Sequence, residues 1–227
     1  MHPAVEFHDR LAAGWARKYD SGSFMARARA LLGLLDERDL SGQAWLDAGC
    51  GSGTLSNQLA RRGCTVTAVD GSVEMIRHAR RIAREQEPRA AAVRFEVVPT
   101  VERLDWPDGR FDGVLCASVI EYLDHPDDCL GELVRVLRPG GVLLVSVPNR
   151  RSLYRQAQRI AYRATRGVWP RYLGLSKNEY LPGEFVGLLE RHGLKVAAGR
   201  FYGARLPGWL GRNGWIGALF LVLAEKP

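Results

Sequence analysis

The sequence is short of the features that would identify a metal protein, a secreted protein or a membrane protein. Its 227 residues include only four cysteines, which are widely spaced and form no CxxC pair, so zinc sites and dithiol redox centres lose their usual sequence support. No continuous apolar stretch follows the first methionine, so no signal peptide is predicted. The longest apolar run, 215–224, is about half as long as a membrane-spanning helix and predicts a buried strand. These absences favour a globular protein in a reducing cytoplasm.

Lysine is also scarce, and arginine carries almost the whole net charge of +7. Such an excess can attract nucleic acid, anionic lipid or an acidic substrate, and it identifies none of them. The hydrophobic fraction of 46% and the charged fraction of 25% are those of an ordinary globular protein. The length fits one α/β domain that buries its own core.

Strand and helix patterns alternate along most of the chain. A helical pattern covers about residues 5–35, and strands and helices follow one another from residue 44 onward. The predicted strands are 44–48, 65–69, 93–98, 112–117, 142–147, 195–202 and 217–224. The predicted helices are 73–84, 127–137 and 182–192, and the second is stopped by Pro139-Gly140-Gly141. This alternation predicts an α/β fold with a mostly parallel sheet and right-handed crossovers.

The strongest motif, LDAGCGSG at 46–53, joins the first strand to a helix. Glycine lets the backbone turn sharply and approach a ligand without an intervening Cβ atom, and a helix N-terminus offers unpaired N–H groups to polar ligand atoms. Asp47 precedes the turn, where a carboxylate can order the loop or attract a positively charged group. Asp70 ends the second strand, about 20 residues past the glycines, where nucleotide-binding sheets hold a ribose diol.

The glycine spacing argues against a dinucleotide site. That fingerprint is G-x-G-x-x-G, whereas this loop reads G-x-G-x-G, and a pyrophosphate would meet Asp47 unfavourably. Taken alone, the loop is an ordinary glycine-rich turn and Asp70 a turn residue. Their combination favours a nucleoside-binding site.

Four stretches of the sequence resemble the class I S-adenosylmethionine-dependent methyltransferases. They are LDAGCGSG, VTAVDGS followed by Met75, FDGVLCASVIEYL and LVRVLRPGGVLLVSVPN. They span 44–149, about half of the chain, in the order and spacing of the family, and are most similar to the quinone and natural-product O-methyltransferases. The resemblance implies a Rossmann-like sheet of seven strands with a reversed C-terminal hairpin, helices on both faces, and S-adenosylmethionine as cofactor.

The resemblance also implies which residues contact the cofactor. Asp47 and the glycine loop would lie beside its methionine part, Asp70 would bind its ribose, and Ser72 or Met75 would border its adenine. Many relatives carry an aspartate near Thr100 for the adenine amino group, and here the Thr100 hydroxyl and nearby backbone atoms are expected to take that place. The full expected set is Asp47, Gly49, Cys50, Gly51, Gly53, Asp70, Gly71, Ser72, Met75, Thr100, Val101, Ala117, Tyr19 and Arg27.

One domain is expected over 1–227, in four parts. These are an N-terminal helical cap (1–43), a cofactor-binding core (44–149), a basic insertion over the substrate (150–181), and a C-terminal helix with a strand hairpin (182–227). In the cap, relatives often place aromatic or arginine side chains over the cofactor, which suggests Tyr19 and Arg27. Packing of an amphipathic helix is the alternative for these residues.

Candidate catalytic residues follow the fourth strand: Glu121, Tyr122 and His125 in SVIEYLDHPDD. A base is needed only if the acceptor carries a proton, as a hydroxyl does. Quinone O-methyltransferases often have Glu-His where this chain has Glu121-Tyr122, so a histidine role cannot be carried over by motif. Alternatively, Tyr122 packs in the core and His125 caps a turn. The nearby aspartates suit a helix start, and no metal is expected.

The basic insertion has arginines at 151, 155, 159 and 163, spaced four apart and so on one helical face. A basic amphipathic helix can contact an anionic membrane through 151–166 or cover a lipid-like substrate, and it can equally be a solvated helix.

Methylation of a small molecule, more readily at a hydroxyl oxygen, is the expected function, with a quinone-like, lipid-like or natural-product acceptor. RNA methylation is an alternative prompted only by the basic balance, and the sequence contains no RNA-binding motif, so nucleic acid is not an expected partner. A nicotinamide-dependent dehydrogenase and a silent cofactor-binding module are further alternatives. The oligomeric state is left open.

Overall fold

The computed structural model describes residues 5–6, 9, 22–86, 93–203 and 211–227. Its helices are α1 (Gly22–Leu32), α2 (Thr54–Arg61), α3 (Val73–Gln86), α4 (Pro126–Val136), α5 (Leu153–Ala164) and α6 (Pro182–Arg191). Its strands are β1 (Ala44–Ala48), β2 (Thr65–Asp70), β3 (Val93–Val97), β4 (Phe111–Ala117), β5 (Leu137–Pro148), β6 (Lys195–Tyr202) and β7 (Leu219–Glu225). Short 3-10 turns occupy Gly33–Leu35, Ile120–Tyr122 and Arg171–Gly174.

The seven strands form one sheet in the order β3-β2-β1-β4-β5-β7-β6. Strands β1 to β5 pair in parallel, whereas β7 runs antiparallel to both β5 and β6. The predicted sheet with its reversed C-terminal hairpin is therefore confirmed. The strand order turns back between β1 and β4, and α/β sheets of this kind bind ligands at the carboxyl ends of the strands beside such a point.

Helices cover both faces of the sheet because successive strand side chains point to opposite sides. Helices α1, α2 and α3 pack on one face, where Trp45 is fully buried. Helices α4 and α6 pack on the other, around Phe111 and Phe185. All four cysteines are buried and free, consistent with their placement in apolar runs.

The largest boundary difference concerns β5, which begins at Leu137 and not at residue 142. Helix α4 does end at Val136, before Pro139-Gly140-Gly141, but the chain then continues as an irregular strand. Leu137 pairs with Phe111, and the register shifts between Phe111 and Gly113, which accommodates the proline and glycines as a bulge. Strand β7 begins two residues later than predicted, at Leu219.

The N-terminal helical prediction is only partly covered, because most of 5–21 lies outside the described residues, including the position of Tyr19. Over the described ranges, no helix combines the length and apolar character needed to cross a bilayer. The same ranges contain no cluster of three or more histidine, cysteine or acidic side chains arranged to hold a metal ion.

Candidate active site

A cavity of about 490 Å³ opens where β1, β2 and β4 end. Its wall brings together most of the residues predicted from the sequence, although they come from six separate parts of the chain. The predicted residues in the wall are Arg27, Asp47, Gly49, Cys50, Gly51, Asp70, Gly71, Met75, Thr100, Val101, Ala117, Glu121 and Tyr122.

The glycine loop forms the floor of the cavity. Gly49 has a positive φ of 79°, and a Cβ atom there would lie 2.2 Å from a methyl of Val119. The N–H groups of Gly49 and Cys50 both donate to the Val69 carbonyl, at 2.8 and 2.9 Å, which folds the loop against the end of β2. At Gly49 and Gly51 the loop thus presents backbone to the cavity.

Asp70 is held in one orientation by the backbone around it. Its Oδ2 accepts the Gly51 N–H at 2.9 Å, and its Oδ1 accepts the Ser72 N–H at 2.8 Å. Because each carboxylate oxygen has further lone pairs, Asp70 can still accept hydrogen bonds from a diol in the cavity.

Asp47 lies at the end of β1 and is buried. Ser56 Oγ donates to its Oδ2 at 2.6 Å. Burial raises the pKa of Asp47 to about 7; the Ser56 hydrogen bond opposes the rise and the charge of Asp70 adds to it. A buried carboxylate of this kind is stabilised by a cation in the cavity.

Another part of the cavity wall is formed by Met75, Thr100 and Val101. It also contains Glu102, which was not predicted from the sequence. The Thr100 hydroxyl accepts the Glu102 N–H at 3.1 Å and donates to Glu102 Oε2 at 3.2 Å. Glu102 stands two residues beyond the position where relatives carry an aspartate. The glutamate in PTVERLDW was the sequence feature from which an acidic residue in the cavity wall could have been predicted.

Two of the predicted cofactor residues, Gly53 and Ser72, are not among the cavity-lining residues. Gly53 precedes α2 with a φ of 75°, and a Cβ atom there would lie 2.5 Å from the Phe95 ring. Ser72 is fully buried, and its Oγ accepts the Met75 N–H at 3.0 Å. Both therefore shape the turns that place their neighbours.

Glu121 and Tyr122 form the opposite wall on the turn after β4. Glu121 is 5% exposed, and its buried Oε2 has no hydrogen-bond partner among the residues that the structure describes. Burial raises the pKa of Glu121, while the charges of Arg27 and Arg155 oppose the rise. Burial also raises the pKa of Tyr122, so its hydroxyl stays protonated at neutral pH.

His125, the third candidate base, does not reach this wall. It is exposed at the start of α4, where its backbone N–H donates to Glu102 Oε1 at 3.1 Å and its side chain makes no cap. The turn Ile120–Tyr122 changes the direction of the chain. His125, three residues after Tyr122, therefore lies outside the cavity.

The predicted arginine stripe on α5 is a helical face, but part of it turns inward. Arg155 is buried, lines the cavity and pairs with Glu179 at 2.7 Å, and Arg159 pairs with the same carboxylate. Arg151 lies over the Trp215 ring, with 3.4 Å between its Cζ and the ring centroid. Of the three alternatives for the stripe, Arg155 is therefore neither solvated nor membrane-facing, because it pairs with the buried carboxylate of Glu179, and the cover over a substrate stays a prediction.

Part of the chain is similar to known methyltransferases. The family described as methyltransferase domain matches residues 46–145. The ubiquinone biosynthesis O-methyltransferase of Alkalilimnicola ehrlichii is 35% identical over 111 residues, which are 49% of this chain and 44% of that protein. The same enzyme from Xanthomonas oryzae pv. oryzae is 36% identical over 49% of this chain and 46% of its own. The match thus spans less than half the length of these relatives.

Two solved structures share the fold over most of the chain. Magnesium protoporphyrin IX methyltransferase from Synechocystis PCC 6803, solved with bound S-adenosylhomocysteine, has a TM-score of 0.71 at 19% identity and covers 94% of this chain and 93% of its own. The [4+2]-cyclase SpnF has a TM-score of 0.67 at 22% identity and covers 89% and 82%.

The glycine loop, Asp70 and Glu121 all fall within the matched range of the methyltransferase domain. The sheet order and the cavity at the strand ends are those expected of that family. Over residues 46–145 the chain therefore resembles the class I S-adenosylmethionine-dependent methyltransferases, and over most of its length it shares the fold of a solved methyltransferase.

Proposed function

We propose that the protein transfers a methyl group from S-adenosylmethionine to a hydroxyl oxygen of a small-molecule acceptor. The observation that carries the proposal is one shared cavity. It contains the acid-flanked glycine loop at one end and the buried, partly unpartnered carboxylate of Glu121 at the other. The ubiquinone O-methyltransferase relatives support a quinone-like phenol, a lipid-like molecule or a natural product as acceptor.

The donor groups at the loop end fit the cofactor. Asp70 is oriented to accept hydrogen bonds from the ribose diol, and Asp47 is placed to balance the cationic methionine part. Met75, Thr100 and Val101 offer an apolar and backbone surface to adenine. When bound, the cofactor supplies a methyl group that its sulfonium already activates, so the protein has mainly to align the acceptor with it.

Glu121 is proposed as the base that accepts the hydroxyl proton, at Oε2. Arg27 and Arg155 favour its ionised form. Arg27 also donates to Ser118 Oγ at 2.6 Å, which connects the N-terminal helix α1 to the turn that carries Glu121. Burial raises the pKa of Glu121, and a carboxylate with a raised pKa accepts a proton more readily, which suits a base. The segment 150–181 is proposed to close over the acceptor, since Arg155 and Tyr172 complete the wall.

The test must separate methyl transfer from other chemistry on this fold, because SpnF is a cyclase. Calorimetry with S-adenosylhomocysteine and with NADH comes first, using Asp70→Asn as a site control. We expect binding of S-adenosylhomocysteine that the variant loses, and no binding of NADH. Incubation with radiolabelled S-adenosylmethionine and a set of phenols, catechols and amines then shows which acceptor gains the label. Binding of NADH alone, or labelling of amines only, contradicts the proposal.

A contact with anionic membrane is proposed for the outer face of α5. Leu153 and Ile160 are 55% and 67% exposed, and the following turn exposes Val168 and Trp169. Exposed arginines such as Arg163 stand beside these side chains. An apolar stripe flanked by cations suits the boundary of an anionic bilayer. Wild-type protein should sediment with vesicles containing phosphatidylserine, and the double variant Leu153→Ser, Ile160→Ser should not. If the wild-type protein does not sediment with these vesicles, the proposed membrane contact is wrong.

The four buried, free cysteines support the expected location in a reducing cytoplasm.

A further inference from the structure

Arg155 is the guanidinium in the cavity wall that the proposed chemistry leaves without a substrate role. It is 5% exposed, although it belongs to a helix whose outer face is open to solvent. Its Nε and Nη2 both donate to Glu179 Oε1, at 3.3 and 2.7 Å. Its Nη1 has no acceptor among the described residues. Because Arg155 lines the cavity, this remaining donor is open to an accepting group of a ligand there.

The charges around Arg155 do not balance. Glu179 is shared between two arginines, Arg155 and Arg159. Across the cavity, Arg27 and Glu121 add one charge of each sign when Glu121 is ionised. The two arginines that share Glu179 therefore keep one positive charge between them, beside the part of the wall that Arg155 forms. The other described ion pair nearby, Lys177 with Asp124, is neutral as a pair.

The cofactor does not account for this surplus by itself. Arg155 approaches from the insertion side, next to Tyr172, and close to the turn of Glu121 and Tyr122. The aromatic residues Phe24, Tyr122 and Tyr172 line the same cavity as Arg155. Flat, apolar surfaces beside a guanidinium group suit an aromatic ring with an anionic substituent.

We propose that Arg155 recognises a carboxylate or similar anion on an aromatic acceptor, and so selects acidic phenols over neutral ones. The proposal rests on the proposed function and names its substrate class. Glu179 keeps Arg155 extended toward the cavity and accepts from one side of the guanidinium. The other side is left for the acceptor, in a geometry that a lysine ammonium cannot reproduce.

The test compares two catechols that differ only in charge, 3,4-dihydroxybenzoate and 3,4-dihydroxybenzamide. Calorimetry measures the binding of each to protein saturated with S-adenosylhomocysteine, for the wild type, Arg155→Gln, Arg155→Lys and Arg163→Gln. Arg163 is a matched control, because it lies on the same helix and is exposed. Glu179 retains Arg159 as partner in the Arg155 variants, which limits the damage to the fold. Thermal unfolding checks this point.

We expect the wild type and Arg163→Gln to bind the benzoate about tenfold or more tightly than the amide, as removal of a buried charge pair implies. Arg155→Gln should abolish this preference, and Arg155→Lys should recover only part of it. Equal binding of the two probes by the wild type overturns the proposal, as does a preference that survives in Arg155→Gln. Failure of the wild type to bind either probe also overturns it, because the cavity then does not hold an aromatic anion.

The binding of S-adenosylhomocysteine distinguishes failure of this proposal from failure of the proposed function. If Arg155→Gln loses S-adenosylhomocysteine, Arg155 binds the cofactor and the acceptor role is overturned, while methyl transfer stands. If the wild type never binds S-adenosylhomocysteine, the proposed function itself fails.

Discussion

The two ends of the cavity are built in different ways. The cofactor end comes from short loops at the tips of β1 and β2, and its contacts are largely backbone N–H groups and the two aspartates they surround. The acceptor end is assembled from side chains distant in sequence, such as Arg27, Glu121 and Arg155. Under the proposed function, local backbone geometry holds the nucleoside, whereas acceptor choice depends on how the insertion packs. Substitutions at the two ends are therefore expected to change different quantities.

The largest effect is expected at the acceptor end. Glu121→Gln should lower the rate of methyl transfer by about 10²–10⁴-fold, because the variant cannot accept the hydroxyl proton. The wild-type rate should fall as the pH drops through the raised pKa of Glu121, since the protonated carboxyl is no base, and this acid limb should vanish in the variant. Initial rates against pH, with the best acceptor of the set tested above, check both points. Unchanged affinity for S-adenosylhomocysteine serves as the control, and a retained acid limb would assign the base elsewhere.

Asp70→Asn tests the cofactor end. The substitution should lower the affinity for S-adenosylhomocysteine by about 100-fold, because two charge-assisted hydrogen bonds to the ribose are lost or weakened. Asp105→Asn, at an exposed position outside the cavity wall, should leave the affinity unchanged. Calorimetry measures both. If the variant binds as tightly as wild type, the ribose lies elsewhere.

Gly49→Ala tests whether the loop tolerates any side chain. The new methyl would meet Val119 at a positive φ, so the free energy of unfolding should fall by about 2–4 kcal/mol, more than the left-handed backbone alone costs. Gly42→Ala is the matched control, since Gly42 has a φ of 74° and a Cβ there has nothing within 4 Å. It should lose only about 1–2 kcal/mol. Urea unfolding of the two variants compares the values, and equal losses would show that Val119 moves aside.

The smallest effect concerns pH and Asp47. Its pKa in the folded protein is raised to about 7, so it is protonated below neutral pH and balances a cation less well. The affinity for S-adenosylhomocysteine should therefore fall about tenfold between pH 8 and pH 6. Calorimetry at both pH values measures this change, and Asp47→Asn should remove it.

The same shift has a consequence for stability. Folding retains a proton on Asp47 that the unfolded chain releases, so the free energy of unfolding without ligand should decline as pH rises from about 4 to about 7. Asp47→Asn should then be more stable than wild type at pH 8 and no more stable at pH 4. Thermal unfolding at the two values decides, and a variant less stable than wild type at pH 8 would contradict the raised pKa.

The sequence predicted the sheet, and it predicted residues that the structure brings together in one cavity, because both depend on local patterns. Asp47, Gly49 and Asp70 lie within a few residues of strand ends, and the parallel order of the strands brings those ends together. The acceptor end was predicted less well. His125 was offered as a base, but a single 3-10 turn directs it away from the cavity. Arg155 was predicted only as part of a stripe, because nothing in the local sequence showed that Glu179 would pack against it.

The insertion enters and leaves the sheet at one point. Asn149 and Tyr180 form an isolated parallel bridge, Arg150 N–H donates to the Tyr180 carbonyl at 2.9 Å, and Tyr180 N–H donates to the Pro148 carbonyl at 3.2 Å. Segments whose two ends lie side by side can be replaced without moving the scaffold that carries them. The stretch between these residues can thus be exchanged for that of another methyltransferase. Under the proposed function, such a chimera would acquire a new acceptor preference and keep the same nucleoside-binding loop.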